Sequence, residues 1–170
     1  MNSKNFYHYL NSFIKRDLIN KYSYKNGSNV PHIKKVVLTM GGRSTELNTI
    51  AQCCLALEFL VGFSCFINVS KKSDLGRKIR VGSPVGAGAT LKKKQMYTVL
   101  AYLISNLEPG HKGYKKIQNS LSFSFSKQDL FELKAFEFNR HIFKTLPELK
   151  ITLVFDKNLL KFEQELLKGL

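Results

Sequence analysis

The chain has 170 residues, a length that suits one compact domain, and its 44% hydrophobic content excludes a disordered chain. Twenty-seven Lys and Arg residues against 12 Asp and Glu residues give a formal net charge of +15. Few enzymes of this size carry such an excess, because like charges oppose compaction unless a polyanion neutralises them. The composition therefore favours a nucleic-acid-binding protein over a catalyst.

The positive charge is concentrated in the first half of the chain. Residues 1–94 hold 16 basic and 4 acidic side chains, a net +12, whereas residues 95–170 hold 11 and 8, a net +3. A surface that is basic only for solubility would not be so uneven. The distribution predicts that the first half binds a polyanion.

The three cysteines and four histidines show no metal-ligand spacing, so no metal and no cofactor are expected. The adjacent Cys53 and Cys54 lie in an apolar helical pattern and are predicted to be buried thiols. No apolar run approaches the roughly 18–20 residues that cross a bilayer, and the first residues resemble neither a signal peptide nor an Arg-rich presequence. No membrane association is expected.

The first predicted element is an N-terminal amphipathic helix over residues 5–22, whose apolar stripe is Phe6, Leu10, Phe13, Ile14 and Leu18. A strand over Ile33–Met40 follows. Alternation predicts that Val36, Leu38 and Met40 share one face, and that the opposite face holds Lys35, Val37 and Thr39.

The second predicted helix begins after Gly41-Gly42, with Ser44 or Thr45 as its N-cap, and ends at Gly62. Its predicted buried stripe is Leu47, Ile50, Ala51, Cys54, Leu57 and Val61. A strand over Cys65–Val69 comes next. The following segment, residues 70–86, is rich in glycine and cations and shows little periodicity, and such long connections tend to be functional.

Beyond this segment the pattern predicts a strand over Ala87–Leu91 and a third helix that ends at Pro109-Gly110, with the apolar stripe Met96, Val99, Leu100, Leu103 and Leu107. Two more strands, over residues 121–125 and Ile151–Phe155, flank a stretch that predicts no clear element. The fold class is therefore α+β, a single domain with a mainly antiparallel sheet packed with helices. Within residues 1–170 we expect the N-terminal helix 5–22, a core over 30–156 and a C-terminal helix over 157–168.

The strongest candidate site is the basic, glycine-rich window from Lys71 to Lys94, which carries +7 in 24 residues. Its side chains can spread along a phosphate backbone, and glycine lets the main chain approach the sugars. A solvated charge run is the alternative. The residues predicted to contact RNA or tRNA are Thr39, Lys71, Lys72, Arg77, Lys78, Arg80, Thr90, Lys92, Lys93 and Lys94.

Enzyme signatures are weak. The spacing Gly82-x-x-x-Gly86-x-Gly88 suggests a phosphate loop, yet it lacks the Gly-Lys-Ser/Thr ending of nucleotide-binding loops. No pair of carboxylates has acid–base or two-metal spacing. The aromatic residues lie mostly at core spacing, which favours recognition of RNA backbone and shape over base stacking. We therefore predict that the chain is not an enzyme.

Several segments resemble a known family. Residues 30–41, VPHIKKVVLTMG, resemble the segment VPRIEKIVLNMG of ribosomal protein five of the large subunit. The runs SKKS, KIRVGSPVG and ATLK between residues 70 and 92 resemble its ARKS…FKLREGMPIGxKVTLRG. Met96-Tyr97 and residues 149–154 resemble its RMYEFLDRLI and GMDITIVT, so that the likeness covers about residues 6–156.

The resemblance implies a structural protein of the central protuberance that binds large-subunit rRNA and 5S rRNA. It also implies that the loop at Ser70–Gly86 reaches the elbow of P-site tRNA. Further partners implied are neighbouring central protuberance proteins and, across an intersubunit bridge, a head protein of the small subunit.

The chain departs from the family pattern where RNA contacts are implied. Thr39 replaces an asparagine that contacts 5S rRNA, Phe63 replaces a glutamine, and Gly88 replaces a lysine. These departures, together with an AT-type composition, suggest a version encoded in a mitochondrion and acting in the matrix ribosome; a bacterial cytoplasm or another organelle is the alternative. A free RNA chaperone or assembly factor of the same fold is the rival function, with a phosphate-loop enzyme and a domain on anionic membranes behind it.

Overall fold

The computed structural model describes residues 3–22, 24, 26–42, 45–106, 115–117, 119–137, 139–143 and 146–157. The predicted helix over 157–168, the residues Ser44 and Leu107, and the helix end at Pro109-Gly110 lie almost wholly outside these residues. Among the described helices, none is long and apolar enough to cross a membrane.

The N-terminal segment is helical throughout, as predicted. It consists of α1 (Ser3–Tyr9), a π-helical turn over Leu10–Ile14 and α2 (Lys15–Lys21). Phe6 and Leu18 are buried, but Phe13 is 61% exposed, so its place in the predicted apolar stripe is wrong. A π-helical turn holds more residues than an α-helical turn, so it shifts side chains away from the 3.6-residue period.

Six strands among the described residues form one antiparallel sheet in the order β2-β3-β1-β6-β5-β4. Their bounds are β1 (Ile33–Gly41), β2 (Phe66–Val69), β3 (Pro84–Leu91), β4 (Lys115–Ile117), β5 (Ser120–Phe125) and β6 (Leu149–Phe155). Together with the helices this arrangement confirms the predicted α+β class.

One face of the sheet builds the core. On β1 the side chains of Val36, Leu38 and Met40 are buried, and the alternation predicted for this strand is confirmed. Their cross-strand partners on β3 are Leu91, Ala89 and Ala87, all buried. Because directly paired residues point to the same face, this face is continuously apolar from β3 through β1 to β6.

Helices α3 (Leu47–Val61) and α4 (Lys93–Asn106) pack on this apolar face. The buried side of α4 matches its prediction at Met96, Val99, Leu100 and Leu103. The predicted stripe of α3 is right at Ile50 and Leu57, and the burial predicted for Cys53 is confirmed. The prediction missed Ala56 and Leu60, which the helix also buries. Leu47 is 76% exposed and Ala51 is also exposed, since the helix is apolar on more than one side and the sheet selects the side it covers.

The ends of α3 also test the prediction. Gly62 ends the helix in the left-handed conformation at φ +79°, as expected for glycine. The predicted cap at Thr45 is wrong: Glu46 is the N-cap and makes no capping hydrogen bond to the backbone, although Thr49 Oγ1 donates to its carboxylate at 3.3 Å.

The stretch without a predicted element contains two short helices, α5 (Lys127–Glu132) and α6 (Lys134–Glu137). Ser126 begins α5 with a capping box, in which Asp129 accepts from the Ser126 backbone N–H at 2.7 Å. Phe136 and Phe143 are fully buried, with ring centroids 5.2 Å apart. This segment therefore contributes to the core.

Candidate nucleic-acid interface

The sheet face opposite α3 and α4 carries mainly small, hydroxyl and cationic side chains. We call it the open face. Its first row of directly paired residues, read from β2 to β5, is Phe66, Gly88, Thr39, Lys150 and Ser124. The next row, read from β3 to β5, is Thr90, Val37, Thr152 and Ser122. Two of the predicted RNA contacts, Thr39 and Thr90, therefore share this face in adjacent rows.

Thr39 lies at the centre of a group of hydrogen-bonding side chains. Its hydroxyl donates a long hydrogen bond, 3.5 Å, to the Lys150 carbonyl oxygen. This contact is weak, so the Thr39 hydroxyl is able to bind a ligand. A shallow depression opens beside it, lined by Thr39, Gly41, Ser124, Ser126, Lys127, Leu146, Pro147, Glu148 and Lys150. Hydroxyls beside lysines are the groups that bind sugar and phosphate oxygens.

The glycine-rich segment is an ordered extension of β2 and β3. The Ser70 backbone pairs with Ser83 and Gly82, and Asp74 and Ile79 exchange two hydrogen bonds of 2.9 Å. Ile79 is 6% exposed and anchors the extension, whereas Leu75 at its tip is 93% exposed. The segment thus holds its cations at defined positions. We call residues 70–83 the basic extension.

All five predicted cations of the basic extension are exposed, namely Lys71, Lys72, Arg77, Lys78 and Arg80. Arg77 is partly neutralised, because its Nε lies 3.7 Å from Asp74 Oδ2. The remaining four have no carboxylate partner among the described residues. A cation that is already paired with a carboxylate contributes less to the binding of a phosphate. The four unpaired cations are therefore the stronger candidates for phosphate contact.

The structure divides the +7 window into two clusters. The basic extension precedes Pro84, the first residue of β3. Lys92, Lys93 and Lys94 follow Leu91, the last residue of β3. An eight-residue strand spans roughly 25 Å. The two clusters therefore lie at opposite ends of β3, with Thr39 and Thr90 between them on the open face. This arrangement fits an extended polyanion that crosses the sheet.

Sequence reasoning missed three residues of this face, namely Phe66, Asn68 and Lys150. Alternation next to the buried Leu149 and Ile151 could have placed Lys150 on the open face. Phe66 and Asn68 could not be placed in this way, because β2 is short and only the register with β3 shows which face they share.

Only one of the three glycines of the suggested phosphate loop, Gly82, lies in a turn; the other two lie in a strand. Gly86 and Gly88 lie inside β3, paired with Gly41 and Thr39 on one side and with Asn68 and Phe66 on the other. A phosphate-binding loop needs free backbone N–H groups between a strand and a helix. This spacing therefore serves strand packing, and the phosphate-loop interpretation loses its structural basis.

The cysteines differ in burial: Cys53 is buried as predicted, whereas Cys54, also predicted to be buried, is only partly buried, as is Cys65. Cys53 is fully buried, and burial, with a smaller contribution from Cys54, raises its thiol pKa to about 11. Burial, followed by the nearby Glu58 carboxylate, raises the pKa of Cys65 to about 11 as well. No group of three His, Cys, Asp or Glu side chains in the described ranges could hold a metal ion.

These thiols predict a pH dependence of stability. A thiol pKa that is higher in the folded state than its ordinary value of 9.0 favours the folded chain while the thiol is protonated. The contribution is full below pH 9 and is lost as pH rises towards 11. We expect the melting temperature to fall across this window, and a C53A/C65A variant to show a smaller fall.

Comparison with known proteins links this geometry to a family. No family model matches the chain. It is 33% identical over 106 residues to large ribosomal subunit protein uL5m of Reclinomonas americana, covering 61% of this chain and 58% of that protein. It is 35% identical over 118 residues to uL5c of Stigeoclonium helveticum, covering 68% and 64%. The chain belongs to the uL5 family. The uL5 protein of a Campylobacter jejuni strain is 33% identical over 107 residues.

The family assignment confirms the resemblance seen in the sequence. The matched part spans about three-fifths of these uL5 relatives, 58%, 64% and 59% of their respective lengths. All three relatives are named as proteins of the large ribosomal subunit.

Proposed function

We propose that this uL5 chain is a structural constituent of the large ribosomal subunit and binds rRNA on the open face of its sheet. The observation that carries the proposal is the placement of Thr39, Thr90 and Lys150 between two exposed cation clusters at the ends of β3. The net charge of +15 supports a polyanion as the partner.

The finer assignments follow the family resemblance. We propose that the rRNA is that of the central protuberance, with or without 5S rRNA, and that the basic extension contacts P-site tRNA. Exposure of Leu75 and the surrounding cations supports a role in contact with a second molecule. Neighbouring protuberance proteins and a small-subunit head protein are the further proposed partners.

We also propose a mitochondrial ribosome as the compartment. Support comes from the Lys-, Asn- and Phe-rich composition without Trp and from the similarity to the uL5m protein of Reclinomonas americana. A plastid or bacterial ribosome is the alternative, because uL5c and bacterial uL5 proteins show comparable identity.

The decisive experiment is sedimentation of a lysate from the source compartment through sucrose at moderately high salt. We expect the chain to remain with large subunits. If it runs free, or with immature particles alone, the proposal is wrong and an RNA chaperone or assembly factor of the same fold takes its place.

A finer test removes one hydroxyl. Replacing Thr39 with valine keeps its shape and β propensity but deletes a hydrogen bond to RNA, so rRNA affinity should fall roughly three- to tenfold. Thr98→Val is the matched control, because Thr98 is exposed on α4 and its hydroxyl already donates to the Lys94 carbonyl at 3.1 Å. Equal affinity of the two variants in filter binding would remove Thr39 from the interface.

A further inference from the structure

Phe66 differs from the other phenylalanines of the sheet, because it lies on the open face. The β2–β3 register pairs it with Gly88, and Gly88 pairs with Thr39 on its other side. Phe125 and Phe155, in contrast, point into the core and are at most 8% exposed. Phe66 is 48% exposed, so about half of an aromatic side chain is available at the edge of the candidate RNA interface.

The ring packs over Gly88. A Cβ added at position 88 would lie 2.7 Å from Phe66 Cε2 and 2.8 Å from Cζ, so the ring occupies the space that any larger side chain would fill. The same point is 3.2 Å from Nδ2 of Asn68, two residues further along β2. The ring therefore packs against the Gly88 backbone, and the Asn68 amide lies beside the same position.

Exposed cations lie further along the open face and beyond the end of β2. Lys71 and Lys72 follow β2 after one intervening residue, and Lys150 is exposed in the same cross-strand row as Phe66, three strands away. A ligand that contacts the ring must therefore tolerate neighbouring positive charge. RNA satisfies this requirement, because its phosphates bind the cations while an unpaired base offers a flat apolar surface to the ring.

We propose that Phe66 is a stacking platform for one unpaired nucleobase of the bound RNA, with the Asn68 amide positioned to reach the edge of that base. The inference rests on the proposed RNA-binding function and extends it, because it adds base recognition to a surface otherwise suited to sugar and phosphate. The remaining exposed side of the ring is the stacking surface.

Fluorescence titration with two RNA probes tests this inference. One probe is a single-stranded RNA of about 12 nucleotides carrying 2-aminopurine, a length within the site sizes of single-strand-binding domains, and the other is a duplex of similar phosphate count. Phe66→Leu keeps the apolar contact with Gly88 but removes the aromatic ring. We expect about tenfold weaker binding of the single strand, unchanged duplex binding and an unchanged salt slope, since stacking releases no counterions.

The controls separate stacking from folding and from general RNA binding. Phe66→Tyr should retain the affinity and the 2-aminopurine quenching. Phe13→Leu alters another exposed phenylalanine, 61% exposed on the N-terminal helix, and should change nothing. If the wild-type chain binds neither probe, the proposed RNA-binding function fails. If it binds both and Phe66→Leu is indistinguishable from it, the stacking inference alone is overturned.

Discussion

Replacing Lys71, Lys72, Arg77 and Lys78 together with alanine is expected to weaken RNA binding roughly a hundredfold or more at about 0.1 M salt. Each phosphate contact releases counterions, so the slope of log affinity against log salt should become shallower by about 3 to 4. Because Asp74 partly neutralises Arg77, the change should lie towards the lower end of that range. Fluorescence anisotropy over a salt series measures both quantities.

The fold should survive these substitutions. All four side chains are exposed, and the basic extension is held by the backbone hydrogen bonds of Ser70 and Asp74 and by the buried side chain of Ile79. Lys78 has a φ of +55°, a conformation that alanine tolerates no worse than lysine because both carry a Cβ. An unchanged melting temperature is therefore part of the expected result.

A charge-matched variant distinguishes a local site from a general charge effect. Lys15, Arg16, Lys21 and Lys134 are exposed cations on other elements, and replacing them with alanine removes the same formal charge. This variant should lose much less affinity and keep most of its salt slope. An equal loss in the two variants would mean that affinity follows net charge and that the basic extension is not the binding site.

Sequence reasoning succeeded where the pattern is local. The alternation of β1 predicts that Thr39 lies opposite Val36, Leu38 and Met40, and a positive φ at Gly62 follows from the residue type alone. It failed where several apolar sides compete. Helix α3 buries Ala56 and Leu60 and leaves Leu47 exposed, because the position of β3 and β1 beneath the helix decides which side is covered.

The candidate site, too, could be predicted from the sequence only in part. The cations of the basic extension are visible as a run of lysines and arginines, and the resemblance to uL5 draws attention to Thr39 and Thr90. The strand predicted over Ala87–Leu91 already separates Lys92–Lys94 from that extension. The placement of Phe66 in the same cross-strand row as Thr39, in contrast, depends on strand pairing between residues far apart in the chain. Register is set largely by which face of a strand is buried, and β2 has no buried residue, so its pairing with β3 cannot be read from its local pattern.

Gly86→Ala is expected to destabilise the chain by about 3 kcal/mol or more, because an added methyl group would meet backbone atoms on the neighbouring strand. A Cβ at this position would lie 2.2 Å from the Met40 carbonyl oxygen and 3.0 Å from Gly41 Cα. These atoms belong to β1, the strand bordered by β3 and β6, and they cannot swing aside as a side chain can. Thermal unfolding should show a decrease in melting temperature of roughly 6–12 °C for a domain of this size.

Gly88→Ala supplies the matched control, two residues further along the same strand. The added methyl group would meet the far end of the Phe66 ring, which can rotate away, so we expect a loss below about 1 kcal/mol. Single-strand RNA binding should weaken nonetheless, since the ring would leave its support. A phosphate loop would give the reverse pattern, with little effect of Gly86→Ala on stability. A Gly86→Ala variant with the melting temperature of the wild type would therefore contradict the close contact between β1 and β3. The basic extension continues from β3, so its position depends on that contact.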